Sequence, residues 1–490
     1  MELTRLINSI LTIQVSGNVQ RKDILGITLD SRKASRNWIF VAIKGQKTDG
    51  HNYIADALNQ GVCAVICEEE NIPVELFLHA NAVRILVKDS RLALAQLSNV
   101  YYGNFSEKIN LIGVTGTNGK TTTTYYLKSI LEKAGNKTGL IGTIANFIGS
   151  EKIGATFTTP ESPELNKLLQ KMALAGCGHI VMEVSSHALE SKRVFGQRFS
   201  SALFTNITPE HLDYHGDFEN YIQAKKILFD NLETNKIAVV NADDPNHEKI
   251  ISGCKCKIVK FGQSDKSEYQ IREITVNLDG TSFEIFHNQK SYSLHTDLIG
   301  RFNAYNATGA FAVALESGID PEIIIQGIRI TPQVPGRFEV VRGINKYAVI
   351  DYSHTPDSLE KAINNLRLLS QGKELITIVG CGGDRDKAKR PVMGKIASEL
   401  SDKVILTNDN PRSEDPFAII DQMKEGINRD NFIIETNRRK AIKTAIMESP
   451  DNSVILIAGK GHEDYQIIGN VRNHFSDKET AEEFLVGGDK

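Results

Sequence analysis

Cysteine is scarce in this chain. Cys63, Cys67, Cys177, Cys254, Cys256 and Cys381 include no CxxC pair, and six in 490 residues are too few for a disulfide framework. Several lie in apolar or glycine-rich stretches such as GVCAVIC, where cysteine behaves as a small hydrophobe. Reduced thiols fit a cytosolic protein. Charge of one sign is lacking too: 57 Lys and Arg stand against 60 Asp and Glu, so the chain as a whole has no basic footprint for nucleic acid. No apolar run approaches the ~20 residues needed to span a bilayer. Nothing after MELTRLINSILTIQV resembles a signal-peptide cleavage site. Internal repeats and low-complexity segments are absent. The expectation is a cytoplasmic protein that binds no nucleic acid and enters no membrane.

What is present is ordinary globular material, 41% hydrophobic and 24% charged, enough for several cores. At roughly 150 residues per domain the length predicts about three. Residues 1–108 mix short strand-like runs (ILGITLD, WIFVAI, CAVICE, VRILVKD) with helical stretches such as SRLALAQLSNVYYG. From Ile109 the order is βαβ: INLIGVTG, then the helical KTTTTYYLKSILEKAG, then TGLIGTI. HIVMEV, SALFTN and KIAVVNADD continue the strands. Alternating segments with turn signals between Asp265 and His295 predict antiparallel strands, and NAYNATGAFAVALESG predicts a helix. TPQVPGRF, with Pro332, Pro335 and Gly336, marks a boundary. Beyond it KYAVIDY, ELITIVG, KVILTND and SVILIAG read as strands buried on both faces of another sheet. The predicted fold is α/β with three domains. A smaller α/β N-terminal domain covers 1–108, a central parallel-sheet domain 109–332, and a doubly wound, Rossmann-like C-terminal domain 333–490.

The strongest local signal is GVTGTNGKTTT, Gly113 to Thr123. An apolar strand runs into a glycine-containing turn, and Lys120-Thr121 opens a helix. Backbone N–H groups of Gly116, Thr117, Asn118 and Gly119 can face phosphate oxygens there, helped by the positive end of the helix dipole. Lys120 would reach the β- and γ-phosphates of ATP, and the Thr121 or Thr122 hydroxyl would meet Mg²⁺. The loop has the shorter form GTNGKT, because Val114 stands where the general pattern has its first glycine. The central domain therefore reads as a P-loop ATPase domain.

GTNGKTTT resembles the ATP loop of the Mur ligases and of their relative folylpolyglutamate synthase. Further motifs narrow the resemblance to the Mur ligases: EVSSHAL, HLDYHG, the lysine of YIQAKKILF, GRF at Gly336, DYSHTPDSLE, GGDRDKAKRP and GKGHEDYQ. With LDSRK and GQKTDGHNYI at the front, they run in order along nearly the whole chain. The resemblance implies an ATP-dependent acid–amino-acid ligase of peptidoglycan precursor synthesis, and so of cell-wall biogenesis, cell shape and division. ATP phosphorylates the free carboxylate of UDP-MurNAc-L-Ala-D-Glu, and the amine of a third amino acid attacks the acyl phosphate. Two anions, carboxylate and γ-phosphate, must then meet, which demands cationic charge and exclusion of water.

Residue roles follow from the same resemblance. Lys120, Glu183, His211 and Lys225 would be catalytic, and Thr121, Glu183, His211 and Lys225 would hold Mg²⁺, a hard cation that prefers oxygen. Lys225 would be carbamylated by CO₂, because an ammonium repels Mg²⁺ and a carbamate binds it. Lys225 follows Ala224 as in the family, which favours it over Lys226. Leu29, Ser31, Gln46, Lys47 and Thr48 in front, with Thr158, Thr159, Ser185 and Arg193, would hold the nucleotide sugar. Asn303, Arg337, Asp351 and His354 would contact ATP or orient a closed state, with a hinge near Pro332 to Gly336. Ser353 stands where family sequences have Ala, and Ser191 where many have Gln.

The acceptor follows from Asp409-Asn410-Pro411-Arg412. In the family, DNPR marks members that add meso-diaminopimelate, and lysine-adding members usually lack this arginine. A guanidinium can grip the second carboxylate of meso-diaminopimelate but would repel the lysine terminus. Arg385 would support the same carboxylate, and Gly459 and Glu463 would hold the distal amine. The alternatives are a lysine-adding ligase, a folylpolyglutamate-synthase-like ligase, and a nucleotide-dependent switch that hydrolyses ATP without forming an amide. The front segment and DNPR argue against the second. The family pattern implies a monomer.

Overall fold

Apolar runs bounded by turn residues become short buried strands throughout the computed structural model, which describes residues 1–45, 48–370 and 372–486. Gln46 and Lys47, two of the expected nucleotide-sugar residues, lie outside the described residues. The chain packs as two units, one formed by residues 1–270 and 308–327, the other by 271–307 and 328–490.

The first unit holds two sheets. In the front sheet the strands run Gln14–Ser16, Val83–Leu86, Ala64–Cys67, Trp38–Val41 and Gly26–Thr28, all parallel except Gln14–Ser16. Successive side chains point to opposite faces, so Ile39 and Val41 join Leu94 and Leu97 in one core while Phe40 joins Phe77 in another. The helix Ser90–Tyr102 starts where Asp89 accepts from the Leu92 N–H (2.8 Å) and stops at left-handed Gly103.

The second sheet of this unit carries the phosphate loop. Lys257–Gly262, Ile237–Asn241, Phe199–Phe204, Asn110–Thr115, His179–Glu183 and Thr138–Ile141 lie side by side and parallel. Asn146–Ile148 and Glu151–Ile153 extend it antiparallel. Every predicted central strand is present. Lys257–Gly262 and the two short extension strands are additions, too polar or too brief to stand out as apolar runs. Because Asn110–Thr115 is flanked on both sides, its carboxyl end opens in the middle of the sheet edge, where doubly wound folds bind ligands.

Asn99 joins the front helix to the central sheet. Its carbonyl oxygen accepts from Asn166 Nδ2 (2.9 Å) and Gln197 Nε2 (2.7 Å), and its own amide donates to the Phe195 carbonyl (2.9 Å).

In the second unit the order is Glu339–Arg342, Tyr347–Asp351, Val454–Ala458, Leu375–Val379, Lys403–Leu406 and Phe432–Ile434, parallel except the first. The predicted runs KYAVIDY, SVILIAG, ELITIVG and KVILTND form the four middle strands. Their side chains alternate between two cores, Val349 and Leu456 in one, Ile350 and Ile457 in the other. The antiparallel pair Gly280–His287 and Lys290–Thr296 is also as expected, but residues 271–307 pack within this unit although they precede the boundary read at Pro332. A hairpin of Tyr465–Ile468 and Val471–His474 was not legible, its strands being polar and largely exposed. Among the described residues no helix is long and apolar enough to cross a membrane.

Removing the Asn99 amide takes a hydrogen bond from the buried Asn166 and Gln197 amides and another from the Phe195 carbonyl, about 0.5–1.5 kcal/mol for each bond. Asn99→Leu should therefore lower the urea midpoint markedly; an unchanged midpoint would show that the cluster contributes nothing to stability.

Candidate active site

The phosphate loop is built on backbone that only glycine tolerates. Gly116 has φ 149°, and a Cβ there would fall 1.9 Å from Thr205 Oγ1. Gly119, at φ 87°, turns the chain into the helix Lys120–Lys133. The loop is braced from the end of Phe199–Phe204: Thr205 Oγ1 donates to the Asn118 carbonyl (2.6 Å), and Asn206 Oδ1 accepts from the Asn118 N–H (3.0 Å). Lys120 Nζ folds back to the carbonyls of Gly116 and Thr117, 2.8 Å each. The arrangement is a helix N-terminus with an ammonium beside it, suited to phosphate. Thr122, also expected at the nucleotide, is buried in the helix's first turn.

Glu183 ends its strand with the carboxylate buried. It accepts from Thr121 Oγ1 (3.1 Å), from the Thr143 N–H (2.9 Å) and from Thr143 Oγ1 (2.9 Å). Thr158 Oγ1 lies 3.0 Å from the same Thr143 hydroxyl. A carboxylate and hydroxyls in contact offer the oxygen donors that a hard cation takes. Thr159 and Ser185 are nearby, but their hydroxyls brace the loop: Thr159 Oγ1 donates to the Glu183 carbonyl (2.8 Å) and Ser185 Oγ caps Ala188 (3.2 Å).

The helix Phe218–Asp230, capped by Asp217, turns Lys225 inward and Lys226 outward. Lys226 pairs with Asp230 one turn along. Lys225 is 1% exposed, with Nζ 2.9 Å from the Gly116 carbonyl and 4.5 Å from the Tyr221 ring centre. Burial first, then the charge of Lys120, holds its pKa well below the ordinary lysine range. Such an amine gives up its proton more readily than an exposed lysine does.

His211, at left-handed φ 57°, precedes the short helix Leu212–His215. Its ring stands 4.7 Å from that of His187, which also contacts Tyr214 (4.1 Å) and His215 (5.4 Å). His215 is buried between Glu190 (Nδ1, 2.7 Å) and Ser186 (Nε2, 3.0 Å). Burial, followed by the two neighbouring imidazoles, pushes His187 down to about 4. Sequence reasoning gave a role to His211 alone, although EVSSHAL and HLDYHG carry the other two.

Arg193 is aimed by Glu161 (2.9 Å) and the Thr159 carbonyl (3.1 Å), and its buried Nε has no partner among the described residues. Of the front residues, Ser31 opens a turn capped by Asp30, Leu29 packs on the front core, and Thr48 bonds Tyr53 (3.0 Å). Asp49, His51 and Glu69 also cluster there, but both His51 nitrogens are engaged, by Asp49 (2.6 Å) and by the Glu68 N–H (3.0 Å).

In the second unit, the carboxyl ends of the strands gather the remaining residues. Asn410 is the hub: its amide donates to Glu463 (2.9 Å), and its oxygen accepts from Lys460 Nζ (3.2 Å) and the Ile467 N–H (3.0 Å). Arg412, at φ 52°, donates from Nη1 to the Gly383 carbonyl (2.7 Å), and Arg385 stands exposed on that same glycine loop. Pro411 is buried, while Gly459, at φ 114°, leaves room for the Asp409 carboxylate, 3.1 Å from where its Cβ would be.

Asp351 accepts from the Phe338 N–H (2.9 Å) and from Ser353 Oγ, and burial pushes its carboxyl pKa up. Ser353, the departure from alanine, thus clamps Asp351. Arg337 lies 5.1 Å from the Tyr352 ring, and its buried Nε has no partner among the described residues. His354 is exposed, its Nδ1 2.9 Å from the Tyr352 carbonyl. Asn303 spends its amide on the Ile299 carbonyl (3.0 Å), a bond internal to the chain.

Three family descriptions match in order: Mur ligase family, catalytic domain, over 23–102; Mur ligase middle domain, over 114–314; and Mur ligase, glutamate ligase domain, over 336–461. The chain belongs to the Mur ligase family. It is 44% identical over 469 residues to a Clostridium botulinum protein named UDP-N-acetylmuramoyl-L-alanyl-D-glutamate--2,6-diaminopimelate ligase, covering 95% of this chain and 96% of that one. An Aquifex aeolicus protein of the same name is 42% identical over 472 residues, 96% of this chain and 95% of its own. A solved structure with that name superposes with TM-score 0.71 at 31% identity, covering 98% of each chain. A Thermotoga maritima folylpolyglutamate synthase shares the fold at 17% identity and TM-score 0.61, over 75% of this chain and 90% of its own. Matches to all three Mur ligase segments explain why the motifs run from the front sheet to the last hairpin.

The histidine cluster makes stability depend on pH. His187, His211 and His215 all have lowered pKa values in the folded state, so the unfolded chain takes up their protons more readily. Stability from this source is full above about pH 6.5, the ordinary histidine value, and falls as pH drops towards about 4. Denaturation midpoints should decline across that window, and His187→Gln should make the decline shallower; an identical slope in the variant would contradict the burial argument.

Proposed function

We propose that this Mur ligase adds meso-2,6-diaminopimelate to UDP-MurNAc-L-Ala-D-Glu at the expense of ATP, in peptidoglycan precursor synthesis. The observation that carries the acceptor assignment is the placement of Arg412, Arg385 and Glu463 on adjoining loops at one sheet edge. That set offers guanidinium to a carboxylate and carboxylate to an ammonium, which matches the far end of a diamino diacid rather than a lone lysine terminus. The printed names of relatives at 42–44% identity support the same reading.

In this reading the glycine loop and Lys120 hold the ATP phosphates, and the substrate carboxylate attacks the γ-phosphorus as ADP leaves. The diaminopimelate amine then attacks the acyl carbon, phosphate departs and the amine loses a proton. Mg²⁺, held through Thr121, Glu183 and His211, would supply charge neutralisation at the phosphate oxygens. Lys225, in its unprotonated form, adds to CO₂ and releases a proton, so that an anionic carbamate stands where an ammonium would otherwise face the metal site. Arg193, with its unpartnered Nε, receives an anionic group of the nucleotide sugar, assisted by Leu29, Ser31 and Thr48 of the front domain. Arg337, with a similarly unpartnered Nε, takes the nucleotide, with Asp351 and His354 beside it. Domains at 1–108, 109–332 and 333–490 divide nucleotide sugar, ATP and amino acid among them. The enzyme works as a cytoplasmic monomer.

Phosphate release should require ATP, the nucleotide-sugar peptide and meso-diaminopimelate together, with L-lysine a much poorer acceptor. A charged hydrogen-bond pair is worth about 1.5–3 kcal/mol, so Arg412→Ala should raise the KM for meso-diaminopimelate roughly 10- to 100-fold with the KM for ATP unchanged. Equal turnover of lysine would reject the acceptor, and release without any acceptor would favour a nucleotide switch.

A further inference from the structure

Among the described residues the two largest wholly buried side chains are arginines, Arg390 and Arg438. Neither belongs to the site residues above, yet both end on the loops that carry them. Arg438 opens the helix Arg438–Glu448, and Asp477 opens the helix Asp477–Leu485. Nε and Nη2 of Arg438 bond the two oxygens of Asp477, 2.7 Å each, with both side chains fully buried. The guanidinium has further N–H bonds to give. Nη2 donates to the Ala458 carbonyl (3.0 Å) and Nη1 to the Asn408 carbonyl (3.4 Å). Ala458 immediately precedes Gly459, and Asn408 immediately precedes Asp409.

Arg390 does the same for a second pair of loops. It forks onto both oxygens of Glu414, 2.9 Å each, and donates to the Gly382 carbonyl (3.1 Å). Glu414 in turn accepts from the Asp384 N–H (2.6 Å), and Gly383 sits so close to Pro411 that a Cβ would lie 1.9 Å from its carbonyl. The segment bearing Arg385 and the segment bearing Arg412 are thus fastened by one guanidinium, and the segments bearing Asp409 and Gly459 by another.

A buried ion pair is weak evidence for stability, since desolvation offsets most of the attraction, and specificity is the better-attested reason to keep one. A planar fork fixes distance and direction in a way that a lysine ammonium does not. We propose that Arg390–Glu414 and Arg438–Asp477 are positioning pairs that set the spacing between the carboxylate-binding arginines and the amine-binding Glu463, and so decide which diamino acid is accepted. The proposal rests on the acceptor reading above.

The test is steady-state phosphate release by the full chain carrying Arg438→Lys or Arg390→Lys, each substrate being varied in turn. Misplacement of binding groups by about an ångström can cost on the order of a hundredfold. The KM for meso-diaminopimelate should rise about tenfold or more, the KM values for ATP and the nucleotide-sugar peptide should stay within about twofold, and the preference over L-lysine should shrink. Arg439→Lys, on the exposed neighbour that pairs with Glu483, should change none of these. If Arg438→Lys fails to fold, Arg390→Lys and Glu414→Gln carry the same comparison. A uniform rise in all three KM values, or unchanged acceptor KM and preference in folded variants, would overturn the positioning role alone. Wild-type protein that ignores meso-diaminopimelate would overturn the acceptor reading and this proposal with it.

Discussion

The Gly116 carbonyl receives two lysines, Lys120 at 2.8 Å and Lys225 at 2.9 Å, and water reaches only the first of them. Burial, followed by the charge of Lys120, disfavours the ammonium form of Lys225, the wholly buried one of the two. Everything else in the first unit is compatible with that constraint. Glycine at 116 lets the loop come close enough for the contact, Thr205 and Asn206 hold it there, and Glu183 supplies negative charge on the neighbouring strand. A neutral amine is also the form that reacts with CO₂. The burial that lowers the Lys225 pKa therefore favours the form that the proposed carbamylation needs.

The second unit solves a different problem with similar means. Its acceptor loops follow strands of one parallel sheet, so their positions are set by buried runs such as SVILIAG and KVILTND. Loops alone would leave the acceptor groups loosely placed. Asn410 ties Glu463, Lys460 and the last hairpin together, and Arg390 and Arg438 fasten the loops from beneath. Polar groups buried this deeply are tolerated because nearly all their donors are used.

Much of this was legible from residues alone. Apolar runs located the strands, GTNGKT located the phosphate loop, and the family match at AKK favoured Lys225, the lysine that the helix does turn inward. Other features depend on contacts that no local pattern records. The Arg438–Asp477 pair spans 39 positions and Arg390–Glu414 spans 24. The hydroxyls of Thr159 and Ser185 fell at matching motif positions; that they also satisfy backbone groups at the end of the Glu183 strand was not legible, because such bonds join distant segments. The alternating segments from Asp265 to His295 do form strands at one end of the central sheet's order, as their pattern suggested; the clustering of residues 271–307 with the second unit was not legible, since such hairpin strands carry little information about which core they will meet.

The most direct measurement is a ¹³C NMR spectrum of the protein equilibrated with ¹³C-bicarbonate. A carbamate resonance should appear in the wild type, persist in Lys226→Ala and vanish in Lys225→Ala. A wild-type spectrum without that resonance, or one that survives loss of Lys225, would contradict the claim that this buried amine is carboxylated.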